Sequence, residues 1–139
     1  MPRDAVRVAA SRAQDYPVSR LQARKFSEEE RLTMIRAIYR WRVKSGEEEK
    51  FIQAWTQGTA AIRAKVVGAG GSLLMRSHHD RSEFMALACW HSLEDWQAFA
   101  AENDSAPPDP EAFRVMGAVS EHLSTEILEE VADLLDCSP

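Results

Sequence analysis

Cysteine is scarce: the chain holds two, Cys89 within an apolar run and Cys137 near its end. Two thiols so placed give neither a disulfide framework nor a metal-ligand spacing, and they fit a reducing cytoplasm. Long apolar runs are missing too. None approaches the ~20 residues of a membrane-spanning helix, and the Arg-rich start lacks a signal peptide's apolar core. A cytoplasmic protein without a membrane partner is therefore expected. Nor is there a basic stripe. Net charge is −5, and the first 33 residues carry seven basic and five acidic side chains, so the remainder is acidic. Such a surface suits a phosphate backbone poorly, which argues against nucleic acid as a partner. No Ser/His/Asp set, phosphate-binding glycine loop or paired-carboxylate arrangement stands out. Histidine is limited to four residues. His78 and His79 precede Asp80 in a turn-like stretch where adjacent side chains diverge, a poor metal motif. No metal site and no cofactor is expected.

What is present is an ordinary globular composition, 45% hydrophobic and 28% charged over 139 residues, enough for one domain. Residues 1–33 lack sustained periodicity and read as an extension, flexible or partly helical. The domain proper spans 34–131, and 132–139 form a tail. In "MIRAIYRWRV" (34–43) Ile35, Ala37, Tyr39, Trp41 and Val43 alternate with Met34, Ile38 and three arginines, the pattern of a first strand. Ser45 and Glu48 read as a capping box for a first helix, carried by Phe51, Ile52, Trp55, Ile62 and Val66 and closed near Gly68. "GSLLMRS" (71–77) is a second strand, "HHDRS" a turn, and "EFMALACW" (83–90) a third strand. Ser92 and Asp95 suggest a second capping box, with Leu93, Trp96, Phe99 and Ala100 as the helix's apolar face. "SAPPDP" is a proline-broken loop, after which Asp109 and Pro110 start a short helix running to Gly117. The segment from Glu121 to Asp136 fits helical spacing as well as strand alternation. The order of the preceding elements is that of a split βαβ module, which needs a fourth strand, so strand is assigned to about 121–131.

The fold class is thus α+β, a ferredoxin-like split βαβ subunit with an antiparallel sheet. In such a module both helices cover one sheet face. Strand three is nonetheless apolar on both sides, Phe84, Ala86, Ala88 and Trp90 against Met85, Leu87 and Cys89. An uncovered apolar face is rare in monomers, and a second copy of the sheet on a two-fold axis is the simplest cover. The alternative cover, residues 1–33, has few large apolar side chains. His91, opposite Trp90, falls on the face assigned to this homodimer contact.

The stretches "WRVKSGEEEKFIQAW", "GSLLMRS" and "FMALACWHSLEDWQAF" resemble the antibiotic biosynthesis monooxygenase (ABM) domain of the dimeric α+β barrel superfamily, over about 34–131. The resemblance implies two sheets meeting face to face and a pocket between each sheet and its own helices. Some members of that family oxidise polycyclic phenols to quinones with dioxygen and neither metal nor flavin, and others degrade haem. The haem degraders' Asn, Trp and His positions align with Tyr39, Phe99 and a stretch free of histidine between Ala100 and His122, which disfavours haem. Of the quinone formers' pocket, the strand-three Trp persists as Trp90, while the Asn four residues earlier is Ala86 and the Tyr six later is Trp96.

The implied function is a cofactor-independent monooxygenase acting on a small aromatic or phenolic substrate. The alternative is a non-catalytic dimeric ligand-binding or interaction module on the same fold. Candidate catalytic residues are Tyr39 and Trp90. Tyr39 is either a satisfied core group or the pocket's polar handle, and Trp90 either packs the second helix or walls a ligand. Trp96 and Phe99 are candidate substrate walls, with core packing as the plainer role. Arg76 and Arg114 are candidate contacts for an anionic substrate, with surface charge as the plainer role. No histidine is placed on the pocket side, which leaves the general base unassigned.

Overall fold

The computed structural model describes residues 34–103 and 105–136. In chain order the elements are β1 (Ile35–Val43), α1 (Glu48–Lys65), β2 (Ala69–Arg76), β3 (Glu83–Trp90), α2 (Leu93–Asn103), α3 (Pro110–Val119) and β4 (Ser120–Glu129). The strands form one sheet in the order β2-β3-β1-β4. Every neighbouring pair is antiparallel. This is the ferredoxin-like α+β arrangement expected from the order of elements, with the ambiguous C-terminal segment resolved as a strand.

Register follows from the side-chain alternation. Ile35 faces Trp90, Ala37 faces Ala88, Tyr39 faces Ala86 and Trp41 faces Phe84, so one apolar row per strand meets the next on a single face. The helices cover that face. Trp41, Val43, Phe51, Ala54, Phe84, Ala86, Met116 and Val119 make one part of the core, and Ile35, Ala37, Trp90, Trp96 and Ala100 the other. Phe51 sits between Trp41 and Phe84, its ring centroid 5.4 and 5.3 Å from theirs. Full burial of such a ring contributes roughly 1.5–3 kcal/mol, so α1 is pinned to the sheet chiefly there.

The helix ends show where sequence signals held and where they did not. Asp95 donates its backbone N–H to Ser92 Oγ at 3.1 Å, and Asp109 Oδ1 accepts from the Ala112 N–H at 3.1 Å ahead of Pro110, so both those caps form. The Ser45–Glu48 box does not. Gly46 turns the chain at φ +86°, α1 starts after Glu47, and no side chain caps it. The turn leaves Ser45 two residues too early, and Glu48 instead approaches Arg76 at 3.9 Å. At the other end Gly68 adopts φ +84°, a conformation that a side chain disfavours, and its carbonyl accepts the His91 N–H at 2.9 Å.

The opposite sheet face carries Ile38, Met75, Met85 and Leu87, all half-buried, with Leu73 54% and Leu128 41% exposed. Cys89 is also half-buried there and takes a hydrogen bond from Arg36, which pairs with Glu130 at 2.7 Å. None of the three helices packs on this face, so the two-sided character of β3 read from its sequence is a property of the folded chain. Residues 1–33, expected to be an extension, and Cys137 lie outside the described residues.

Candidate active site

Between the sheet and its helices lies a cavity of about 90 Å³. That is room for about six waters or one small aromatic ring system. Its origin is the small side chains in the middle of the sheet. Ala88 pairs with Ala37, and Ala86 with Tyr39, so the helices bridge over a hollow instead of a filled layer. The floor is Tyr39 and Trp41 of β1, Ala86, Ala88 and Trp90 of β3 and His122 of β4. Trp55, Thr59, Ile62 and Arg63 of α1, Phe99 and Asn103 of α2, and Phe113 and Met116 of α3 form the roof and walls. Trp90 and Phe99 lie with centroids 5.0 Å apart, and Tyr39 stacks on Trp41 at 5.9 Å. Such a lining suits a flat, apolar ligand.

Polar groups are few and each has an identifiable origin. Trp96 Nε1 donates to the Tyr39 hydroxyl at 2.9 Å. Burial pushes that hydroxyl up to about 12, against which the Trp96 hydrogen bond pulls only weakly downward. Tyr39 is therefore a neutral O–H group at physiological pH, a donor and not a base. Asn103 is 4% exposed, and its Oδ1 has no hydrogen-bond partner among the described residues. The same holds for the indole nitrogens of Trp41 and Trp90. Unmet buried polar groups cost about 1–3 kcal/mol each, so three around one hollow mark a place where packing was not optimised for the empty protein.

His122 reaches the cavity through an irregularity in β4. Arg40 pairs with Ser124 and Trp41 with His122, so Leu123 is an extra residue between them. This bulge turns His122 onto the helix side, edge-on to Trp41 at 6.3 Å, with Nε2 2.8 Å from the Thr125 hydroxyl. The expectation that no histidine faces the pocket is thus overturned.

The sequence profile of the family described as antibiotic biosynthesis monooxygenase matches residues 34–106, more than half of the chain. The chain belongs to the ABM family. No curated protein matches it. Among solved structures, SnoaB, a cofactor-independent oxygenase from Streptomyces nogalater, superposes with a TM-score of 0.60 at 15% identity, covering 75% of this chain and 99% of its own. An ABM-type protein from Bordetella bronchiseptica gives 0.61 at 18% identity, covering 72% of this chain and 99% of its own. A Bacteroides thetaiotaomicron protein of unknown function, described as a possible oxidoreductase, gives 0.56 at 24% identity over 71% of this chain and 99% of its own. At these identities the likeness establishes the ferredoxin-like fold.

On this ABM scaffold the residues singled out from sequence separate into two groups. Tyr39, Trp90 and Phe99 line the cavity together. Trp96 does not line it. Fully buried behind Tyr39, it positions the phenol. Arg76 lies outside the cavity lining, over the Phe84 ring at 5.1 Å and donating to the Arg81 carbonyl at 2.7 Å. Arg114 is also outside, held by Glu111 on the exposed side of α3 at 2.9 Å. Both arginines are occupied elsewhere because strand-end and helix-surface positions find acidic or carbonyl neighbours locally. His78 and His79 are exposed in the β2–β3 turn. Three cavity residues escaped notice in the sequence. Asn103 and Arg63 look like ordinary helix polar residues, and His122 is set on its face by a bulge that its own segment does not encode. Ala86 stands four residues before Trp90, and the amide on the cavity wall is that of Asn103.

Proposed function

We propose that this ABM-family chain is a cofactor-independent monooxygenase that oxidises a small aromatic, phenol-type substrate with dioxygen. The observation that carries the reading is the aromatic-lined cavity with a neutral Tyr39 hydroxyl on its floor. A substrate of this class supplies its own electrons. Its anion passes one electron to dioxygen, and the radical pair combines to a peroxide anion that takes back the proton first removed. Loss of water from this hydroperoxide leaves a new carbonyl, so one oxygen atom enters the product and one leaves as water. The protein's share is to exclude solvent and hold the anion in place. Trp90 and Phe99, in contact with each other, form one aromatic wall for the ring, Tyr39 donates its O–H to the developing oxyanion, and Trp96 keeps that phenol oriented. His122, oriented by Thr125, lines the same cavity and is the candidate proton acceptor.

The homodimer belongs to the same proposal, with the sheet face that no described helix covers closed by a second copy, as does the reading of 34–131 as the working domain. Among the described residues no helix is long and apolar enough to cross a membrane. A non-catalytic ligand-binding module remains the competing reading, favoured by the sparseness of polar groups around the hollow.

Oxygen uptake with a panel of hydroquinones and anthrone-like phenols separates the two. The wild type is expected to consume oxygen above the buffer rate with at least one compound. Trp90→Ala should reduce that rate at least tenfold, and Tyr39→Phe several-fold through kcat. A flat trace across the whole panel would establish the binding module instead.

A further inference from the structure

The lining of the cavity points to where it meets solvent. Arg63 lines the hollow and is at the same time exposed, as is none of the aromatic lining residues, so the solvent end lies at the last turns of α1. Facing it across the gap is the start of β2, where pairing with β3 jumps from Ala69 to Ser72 and Gly71 turns at φ +99°. The Arg63 side chain lies over this glycine: a Cβ placed there would sit 3.6 Å from Arg63 Cδ and Nε and 3.8 Å from Cζ. The irregular start of β2 therefore makes a shelf for the guanidinium at the mouth.

Arg63 combines a place in the cavity lining with the lack of an ion-pair or hydrogen-bond partner among the described residues, which Arg40 and Arg42 share away from the cavity. Arg36 is paired with Glu130, Arg76 with Glu48 and Arg114 with Glu111. Among the described residues Arg63 has no ion pair and no hydrogen bond, although the chain as a whole is acidic. A free guanidinium above a mainly apolar, aromatic hollow is a two-part recognition surface, stacking inside and charge pairing at the rim.

We propose that Arg63 is a specificity residue of the cavity, selecting aromatic ligands that carry an anionic group, such as a carboxylate, on the end left at the mouth. This rests on the cavity being the ligand site, as in the proposed function, and adds the chemical class of what enters. The ring would lie against Trp90 and Phe99, and the anion would meet the planar fork of Arg63 near Gly71.

The experiment uses two probes of one shape, 2-naphthoate and its neutral amide 2-naphthamide, titrated calorimetrically into the full chain at low salt. The wild type is expected to bind the anion five- to tenfold more tightly, with the ratio shrinking as salt is raised. Arg63→Gln should bring the ratio to about one, and Arg63→Lys should keep part of it. Arg114→Gln, which removes an exposed arginine outside the cavity, should leave the ratio unchanged. A cation serving only the C-terminal end of α1 would alter stability and leave the ratio alone. Equal affinities in the wild type, no binding of naphthoate, or a preference that survives Arg63→Gln would each overturn the proposal. The oxygenase reading fails on a different measurement, the absence of oxygen uptake with phenols, and neither failure implies the other.

Discussion

At the scale of a residue, Tyr39 shows how one side chain serves core and cavity together. Its ring stacks on Trp41, its oxygen accepts the Trp96 N–H, and burial keeps its proton in place to about pH 12. The chain has two tyrosines. Absorbance titration of the phenols should therefore contain a component near pH 12, absent from Tyr39→Phe. The unfolded chain releases this proton near pH 10 while the folded chain retains it to about 12. Stability is thus full below pH 10 and falls between 10 and 12, by about 3 kcal/mol. Denaturation midpoints of wild type and Tyr39→Phe should converge across that window, and parallel curves would contradict the assignment. The sequence showed Tyr39 on the buried side of an alternating strand. It did not show which of two roles the hydroxyl had, because the answer depends on Trp96, 57 residues away.

Among the elements, β1 was legible because an apolar residue at every second position leaves little freedom once one face is buried, and β2 and β3 because they are short apolar runs flanking a polar turn. β4 was legible only through the requirements of the module, since Leu123, Ile127 and Val131 satisfy both periodicities. The bulge at Leu123 was not legible at all, as an extra residue is defined only against the partner strand, and with it went His122. Caps divided in the same way. Ser92 and Asp109 sit directly before their helices, whereas Gly46 diverts the chain between Ser45 and Glu48. Gly68 links α1 to β2 at a positive φ, and a methyl group there would run into the Asp95 side chain at the start of α2. Gly68→Ala combines backbone strain with overpacking and is expected to cost about 2–4 kcal/mol in chemical denaturation. An unchanged midpoint would show that α2 is free to move away.

For the whole molecule, the decisive feature is the sheet with two apolar sides, one under the helices and one bearing Ile38, Met85, Leu87, Leu73 and Leu128. Light scattering at micromolar concentration is expected to give twice the chain mass for the wild type and a single chain mass for Leu87→Asp, a charge in the middle of the proposed contact. A wild type that remains a single chain at these concentrations would remove the second copy from the account. The arginines of the same face, Arg36 and Arg40, alternate with the apolar side chains, so the contact reads as mixed and salt should tune it.

The hollow and the face that no described helix covers lie on opposite sides of one four-stranded wall. Its floor, roof and the Arg63 shelf all come from a single chain. Each copy in a pair would accordingly fill on its own: saturation should follow a plain hyperbola with one equivalent per chain, and breaking the pair apart should leave the apparent dissociation constant where it was.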